Sequence, residues 1–593
     1  MSTSWLPASF KRPNITLSNG DSHPLLPSNG GIPLGEDEED DQEIELEMRR
    51  FRDEPRPKWM GIRRTRPPCF VLAAILAVFS LLALLAFLSS PSNTGPTLDF
   101  WDISNAKVDA LYARQSSSLE QAIARYSLRN NRPPPPMYEQ WYGFARDHSC
   151  LIDEYDQISR DFEPFYQLAQ DDPAYFKKMV LKATPQVQED ARGMKTGVFA
   201  DHKFSWTDEG FTLYTDEWPR TFGRFADFMP NMSIVLNGRD EPRVVFNYRL
   251  PNMRPKALNV SDAEPFRRTP HPTASYFKDD MNCLIPDRPM GFAGLANDAS
   301  AFMLYSSSTD FTTDLYPVMS MTKISPCFAD ILVPSEFYYT DSGWAPKYAY
   351  ANNITWADKT PQLYWRGMTS GGHVFGQNYH AFPRFRLIDI GREHRNLMNV
   401  LLSGFHDGLC GENCDAERIK EEYGIAHESS PREEVYKYKY LFDVDGNSFS
   451  GRYLGLLRSG SLVFKSTVFA EYFNDWLRPF EHYIPILPDL SDLVEKLEWA
   501  VAHDAEAHAI QQAGQAFAER VLSDAQNDCY FSAVLLEWAR LQGMAEGMPP
   551  AETPAPVPVG ADAEKDGDGG APSKALPVEV TPVVPEQEDN AND

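Results

Sequence analysis

Apolar and polar positions divide the chain into distinct regimes. Residues 1–48 are rich in Pro, Gly and Ser and then in acid, and the whole of 1–68 is expected to be a disordered tail. Cys69 to Leu88 reads CFVLAAILAVFSLLALLAFL, about twenty residues without a charge, the length a helix needs to cross a ~30 Å hydrocarbon core. From Leu98 to Leu128 apolar residues recur at helical spacing (Val108, Leu111, Tyr112, Leu119, Ile123), which predicts a stem helix within 89–136. Pro133 to Pro136 stop it, because consecutive prolines cannot continue a helix. Between 137 and 542 helical stretches alternate with short apolar runs, such as Met232–Leu236 and Leu462–Phe464, a pattern that predicts an α/β architecture. Closing helices are expected over Leu490–Ala502, Ala505–Leu522 and Tyr530–Leu541. A disordered Pro/Ala-rich acidic tail is expected over 543–593.

The flanks of the apolar run orient it. Arg49, Arg50, Arg52, Arg56, Lys58, Arg63, Arg64 and Arg66 crowd its N-terminal side, whereas Ser89, Ser90 and Pro91 open the other. By the positive-inside rule this predicts a single-pass type II membrane protein with a cytosolic N-terminus. Some seventy residues precede the run, which argues against a cleaved signal peptide. Everything after Ser89 is then expected in an oxidising compartment. The six cysteines there (Cys150, Cys283, Cys327, Cys410, Cys414, Cys529) are free to form disulfides, and Asn231, Asn259 and Asn353 head glycosylation sequons.

Charge changes this picture little. The net charge is −28, but nine carboxylates lie between Glu36 and Glu47, and the segment 551–593 holds ten against two lysines. The acidity therefore belongs mostly to the flanks, and no basic stripe remains for a nucleic-acid partner.

Candidate chemistry lies in five segments. In Ile234–Pro242 (IVLNGRDEP) an apolar run ends in a Gly-containing turn, placing Asp240 at the carboxyl end of a strand, where α/β sheets hold ligands. The bland reading is a turn aspartate paired with Arg239. In Leu363–Gly372 (LYWRGMTSGG) Arg366 offers a guanidinium and Gly367 a close backbone approach, both suited to a diphosphate. Tyr436–Phe464 reads as strand, Asp-Gly turn, a helix near Ser450–Arg458, and a second strand after Gly460-Ser461. That places Ser448, Phe449 and Arg452 at a strand-to-helix junction suited to anions. Asp443-Val444-Asp445 has the form of a metal-binding D-x-D, but Asp445-Gly446 is a common turn pair, and no metal site is assigned. In Phe469–Leu490, Trp476, His482, Tyr483 and Pro485 read as packing, with His482 a less favoured contact for a sugar or leaving group.

Together YWRG, YKYLFDVDGNSFSGR, SGSLVFKST, WLRPFEHYIPI and DCYFSAVLLEW, with the upstream LNGRDEP and RPPPPMYEQWYGFA, resemble glycosyltransferase family 90, which includes capsule-associated xylosyltransferases and protein O-glucosyltransferases. The resemblance spans roughly Pro133 to Leu541. It implies a GT-B fold of two Rossmann-like domains, an acceptor side over 137–345 and a nucleotide-sugar side over 346–542, whose last helix packs back on the first domain. It implies a UDP-sugar as co-substrate, a glycan or protein acceptor, inversion without an obligatory cofactor or metal, and a Golgi or endoplasmic-reticulum membrane location. Asp240 then matches the catalytic base, and Arg366 and Arg452 match arginines near the donor diphosphate, with Gly367, Ser448, Phe449, Gly460 and Ser461 around them. The family pattern also joins the regions of Cys150 and Cys529; Cys410–Cys414 and Cys283–Cys327 are the pairs expected beside it. Two departures stand out. Animal members carry a further arginine just after the Arg-Gly pair, where this chain has Met368-Thr369-Ser370. They end in a retrieval signal, where this chain ends in Asn592-Asp593 and has the apolar run instead. The rival readings are an inactive lectin-like or scaffold protein of the same fold, or a glycosidase, for which no second carboxylate suggests itself.

Overall fold

The computed structural model describes residues 99–547 apart from 191–192, 210–213, 248–311, 313–314, 326, 344–353, 373, 375, 407–409, 411–413 and 426–429. The apolar run Cys69–Leu88, the tails 1–68 and 548–593, Cys283, Asn259 and Asn353 lie outside the described residues. Among the described residues no helix is long and apolar enough to cross a membrane. The chain divides into units 1–95 and 96–593, and all described residues belong to the second.

The segment expected to be one free stem helix is two docked helices, α1 (Phe100–Ala113) and α2 (Leu119–Asn130). Serines make the break. Buried Ser116 donates its N–H and hydroxyl to Asp153 (2.6 and 2.9 Å), and Ser118 caps α2 by accepting from the Gln121 N–H. Both helices are bonded to the globular unit: the Tyr112 hydroxyl donates to the Arg520 carbonyl (3.0 Å), Arg520 pairs with Asp109 (2.5 Å), and Arg540 donates to the Tyr126 hydroxyl (2.7 Å). The folded unit therefore already includes residues 99–130, ahead of the prolines.

Helices α3 (Tyr138–Asp147), α4 (Asp156–Asp171) and α5 (Pro173–Asp190) lead into a five-stranded sheet of order β2-β1-β3-β4-β5, with the short helix α6 (Trp218–Gly223) between β2 and β3. Its strands are β1 (Met194–Ala200), β2 (Lys203–Trp206), β3 (Met232–Asn237), β4 (Met319–Ser320) and β5 (Ile331–Leu332). Strands β3, β4 and β5 pair in parallel, whereas β1 runs antiparallel to both its neighbours, β2 and β3. The sheet is thus mixed, short of the parallel Rossmann-like sheet expected there, because β1 and β2 form an antiparallel hairpin. Asp201 and His202 both take left-handed backbone (φ 48° and 61°), as a two-residue hairpin turn requires, without the Asn-Gly or Asp-Gly signal that advertises one.

The second sheet is parallel throughout, in the order β10-β9-β8-β6-β7. Its strands are β6 (Thr360–Met368), β7 (Met398–Gly404), β8 (Tyr438–Val444), β9 (Leu462–Ser466) and β10 (Ile484–Ile486). Every residue of β9 is buried, as in strands covered on both faces. The crossovers include α7 (Pro383–Glu393), α8 (Ala416–Tyr423) and the short α9 (Tyr453–Leu457).

After α10 (Leu493–Ala502) and α11 (Asp504–Arg520), helix α12 runs from Asp524 to Glu546, four residues past the expected domain end, and stops at the left-handed Gly547. It packs on α3, α4 and α5 of the N-terminal half. Cys150 and Cys529 are bridged there, and the Trp141 indole donates to the Cys529 carbonyl (2.9 Å). Cys410 and Cys414 form a second disulfide. Cys327 is buried and also disulfide-bonded.

The Cys150–Cys529 bridge closes a loop of sequence separation 379 and so removes much freedom from the unfolded chain. The Cys150→Ser/Cys529→Ser double variant should lose about 2–5 kcal/mol in urea unfolding relative to the wild type. An unchanged unfolding midpoint would show that the helix is held without it.

Candidate functional site

A parallel sheet offers its ligand crevice where successive strands leave in opposite directions. Here β6 has β7 on one side and β8, β9 and β10 on the other, so the switch point lies between the carboxyl ends of β6 and β8. Two loops emerge there, 369–372 and 445–452. They press together: the Gly371 N–H donates to Asn447 Oδ1 (3.1 Å), and a Cβ on Gly371 would lie 2.8 Å from the Gly446 carbonyl oxygen. Glycine alone permits both that approach and the local φ of 103°.

Trp365 forms the floor. Its ring fills the space that a side chain on Gly367 would take, since a Cβ there would lie 2.5 Å from Trp365 Cζ2. The guanidinium of Arg452 stands 5.8 Å from the Trp365 ring and that of Arg384 stands 5.6 Å from it. Arg452 donates to the Arg366 carbonyl (2.7 Å). Arg384, on the first turn of α7, donates to the carbonyls of Asp445 (2.9 Å) and Met368 (2.8 Å) and to Ser370 Oγ (2.7 Å). Burial, then the like charge of Arg452, lowers the Arg384 pKa to about 9. A buried Arg384 beside a half-buried Arg452 that lines the neighbouring cavity forms a place that an anion stabilises.

Arg384 was not among the residues singled out in the sequence, yet it reaches the very segment, Met368 to Ser370, where the family's further arginine was missed. No local pattern marks it; its partners come from both loops. Arg366 departs from expectation. It lines a cavity of about 240 Å³ together with Arg452, Tyr364 and Phe442. Its guanidinium, however, stacks on Tyr364 (4.4 Å) and donates to the Trp365 carbonyl and to the carbonyl and Oδ1 of Asn399 (2.8, 2.8 and 2.7 Å). Those bonds hold β6 to β7 and leave Arg452 and Arg384 as the cations at the crevice.

Ser448 and Phe449 are buried in the loop after β8, as expected, with the Ser448 carbonyl accepting from the Gly446 N–H (2.8 Å). Gly460 and Ser461 are elsewhere. Ser461 accepts from Lys359 (3.1 Å) and donates to the Tyr438 carbonyl (2.7 Å), at the amino ends of β6, β8 and β9. A β-α-β crossover returns the chain to the opposite edge of the sheet, so the turn after α9 and the turn before it cannot share a ligand. His482 is structural: its Nδ1 accepts from the Arg478 N–H (2.8 Å), its ring lies on Phe517 (4.8 Å), and burial lowers its pKa to about 4. Asp443 binds Lys465 (2.8 Å). Asn231, a predicted glycosylation site, is exposed just before β3, where its side chain accepts from the Asp201 N–H (3.1 Å).

Asp240 follows β3. Asn237 shapes its turn, accepting from the Arg239 N–H (3.0 Å) and Arg243 Nε (3.0 Å) and donating to the Glu241 carbonyl (2.6 Å). Burial, then the neighbouring Glu241, raises the Asp240 pKa to about 7, against a smaller downward pull from Arg243 and Arg239. The turn-ion-pair reading predicts the reverse direction. Asp240 lies close enough to Tyr214 for its charge to raise that phenol's pKa. Tyr214 contacts Phe337 (6.0 Å) and Phe337 contacts Phe449 (6.1 Å), while a Cβ on Gly451 would lie 2.6 Å from the Phe337 ring. One aromatic side chain thus joins the neighbourhood of Asp240 to the loop that carries Ser448, Phe449 and Arg452.

The mixed α/β fold thus places Asp240 after a strand of one sheet and two arginines at the switch point of the other. Residues 348–554 match the family described as Glycosyl transferase family 90. The chain is 32% identical over 188 residues to Protein O-glucosyltransferase 2 of Danio rerio (32% of this chain, 34% of the relative). It is 31% identical over 189 residues to Protein O-glucosyltransferase 3 of Homo sapiens (32% and 34%), and 37% identical over 105 residues to Protein O-glucosyltransferase 1 of Homo sapiens (18% and 27%). These matches span about a third or less of each relative's length.

Because the Trp365 ring occupies the space beside Gly367, Gly367→Ala should force the ring aside and cost about 1–3 kcal/mol in thermal unfolding. Indole fluorescence should report the displaced ring in the folded protein.

Proposed function

We propose that this chain transfers a sugar, glucose or xylose, from a UDP-sugar to a hydroxyl of a protein or glycan acceptor, inverting the anomeric centre with Asp240 as general base. The family of residues 348–554 and the names of the relatives favour this class. The observation that carries the mechanism is the raised pKa of Asp240 facing, through Tyr214 and Phe337, the loop of Arg452. Asp240 takes the acceptor's proton as its oxygen attacks, the bond from sugar to diphosphate breaks, and Arg452 and Arg384 hold the charge left on the departing UDP. The two halves read as the facing domains of a GT-B enzyme. No cofactor is assigned beyond the donor, which is a co-substrate. Cys69–Leu88 is proposed as the anchor of a type II protein in the Golgi or endoplasmic reticulum, so a fragment beginning at Ser89 should be released from membranes by an alkaline wash.

An aspartate with a pKa near 7 is a base only above that pH, so kcat/KM should fall with unit slope as pH drops below about 7. Asp240→Asn should remove that limb and lower transfer by about 10²-fold or more, with UDP affinity little changed. The stability change has a definite sign. A carboxylate whose folded pKa is raised withdraws stability as pH rises from its unfolded value through about 7, so Asp240→Asn should be at least as stable as the wild type at pH 8. Arg452→Ala should instead weaken UDP binding and transfer together, because its partner charge exists before the reaction. Near-normal transfer by folded Asp240→Asn protein would remove the residue from the mechanism.

A further inference from the structure

The D-x-D pair left without a metal role belongs to a buried charge cluster beneath the crevice loop. Lys465 on β9 donates to Asp443 Oδ2 (2.8 Å), lies 3.7 Å from Glu471 Oε2, and rests on the face of Tyr453 (3.8 Å). Asp445 closes the loop by accepting from the Val468 N–H (2.9 Å), while its carbonyl holds Arg384. Glu471 accepts a hydrogen bond from the Tyr338 hydroxyl, which comes from the N-terminal half. Beside it Ala470 and Lys323 exchange backbone hydrogen bonds (3.1 and 2.7 Å), the direct ladder between the halves. All of these carboxylates are at least 96% buried, yet Asp443 Oδ1, Asp445 Oδ1, Glu471 Oε2, Ser450 Oγ and Tyr453 Oη make no hydrogen bond to a described residue. A single ammonium therefore faces three carboxyl groups in a dry site, where an unpaired charge is expensive.

We propose that Glu471 is a positioning residue that couples donor binding to the joint between the two halves: through Tyr338 it holds the N-terminal half, and through Lys465 and Asp443 it holds the loop 445–452 that presents Arg452 and the Arg384-binding carbonyl. The proposal rests on the donor reading of that loop. The D-x-D aspartates serve it from within, Asp443 held by Lys465 and Asp445 pinning the loop. The cluster carries one positive charge against up to three negative ones, so ionising its last carboxyl puts negative charge under an anion site. Burial first, and then the charges of Asp443 and Asp445, raise the Glu471 pKa to about 8, against the pull of Lys465 and the Tyr338 hydroxyl. Affinity for an anionic donor should therefore fall as pH rises through about 8.

The test uses the full-length protein and UDP as the probe, with affinity measured by calorimetry from pH 6 to 9.5. Glu471→Gln keeps an acceptor for Tyr338 without a titrating charge, and should bind UDP with an affinity that no longer falls between about pH 7 and 8.5, while the loss around pH 9 that belongs to Arg384 remains. Tyr338→Phe breaks the link across the halves and should weaken UDP binding roughly 5-fold or more at every pH. Glu471→Gln should leave the activity limb near pH 7, assigned to Asp240, in place. A melting temperature that moves in both variants while UDP affinity and its pH dependence stay those of the wild type would reduce Glu471 to a structural group and overturn the proposal. If the wild type itself binds no UDP, the donor reading fails, and this proposal with it.

Discussion

The geometry of the site depends on the grip of helix α12 on strand β3. The helix comes from the far end of the chain, after the parallel sheet is complete, and returns to the N-terminal half. Its Trp538 indole and Gln542 amide both donate to the Ser233 carbonyl (2.7 and 2.5 Å) near the start of β3, and β3 ends at the turn that carries Asp240. Glu537 anchors the same face. Burial alone would raise its pKa, but Arg540 (2.5 Å) and the hydroxyls of Tyr126 and Tyr166 outweigh burial and lower it. Removing one partner of such a pair leaves a bare buried charge, at a cost of about 3–5 kcal/mol, so the helix has one seat. A strand held at one end by this helix presents its other end at a defined distance from the loops of the second sheet.

The electrostatics of the crevice follow from the same closure. Burial acts on both sides of it, and in each case the charged form is disfavoured: the Asp240 pKa rises towards 7, and that of Arg384 falls towards 9 beside Arg452. Neither shift needs a special residue type. Each is the cost of burying a charged group, and a proton at Asp240 or an anion beside the arginines would relieve it. The Phe337 ring, between Tyr214 and Phe449, joins the neighbourhood of Asp240 to the loop that carries Arg452.

How legible this was from sequence varied with the range of the interactions. The turn after Met232–Leu236, the strand-turn-helix-strand of 436–464 and the closing helices were readable because short-range apolar spacing and Gly or Asp turns determine them. The β1–β2 hairpin was not, since Asp201 and His202 adopt left-handed backbone without the usual glycine. The two helices before the prolines looked like a stem because their apolar stripe names no partner; that the partners are α11 and α12, some four hundred residues away, is a fact of folding alone.

The sequence by itself determined the residue types at the crevice, the motifs of residues 348–554 and the turn that carries Asp240, because these rest on contiguous runs whose spacing constrains the local backbone. Only the tertiary structure decided which cations serve the crevice. Arg366 and Arg384 are equally plausible as letters, but β-strand alternation sends the first onto Tyr364 and Asn399, while the start of α7 delivers the second to Trp365 and both loops. It likewise moved Ser461 to the far edge of the sheet, since a crossover must return to where the next parallel strand begins. Direction along a strand and the side from which a helix arrives are properties of packing, and no motif records them.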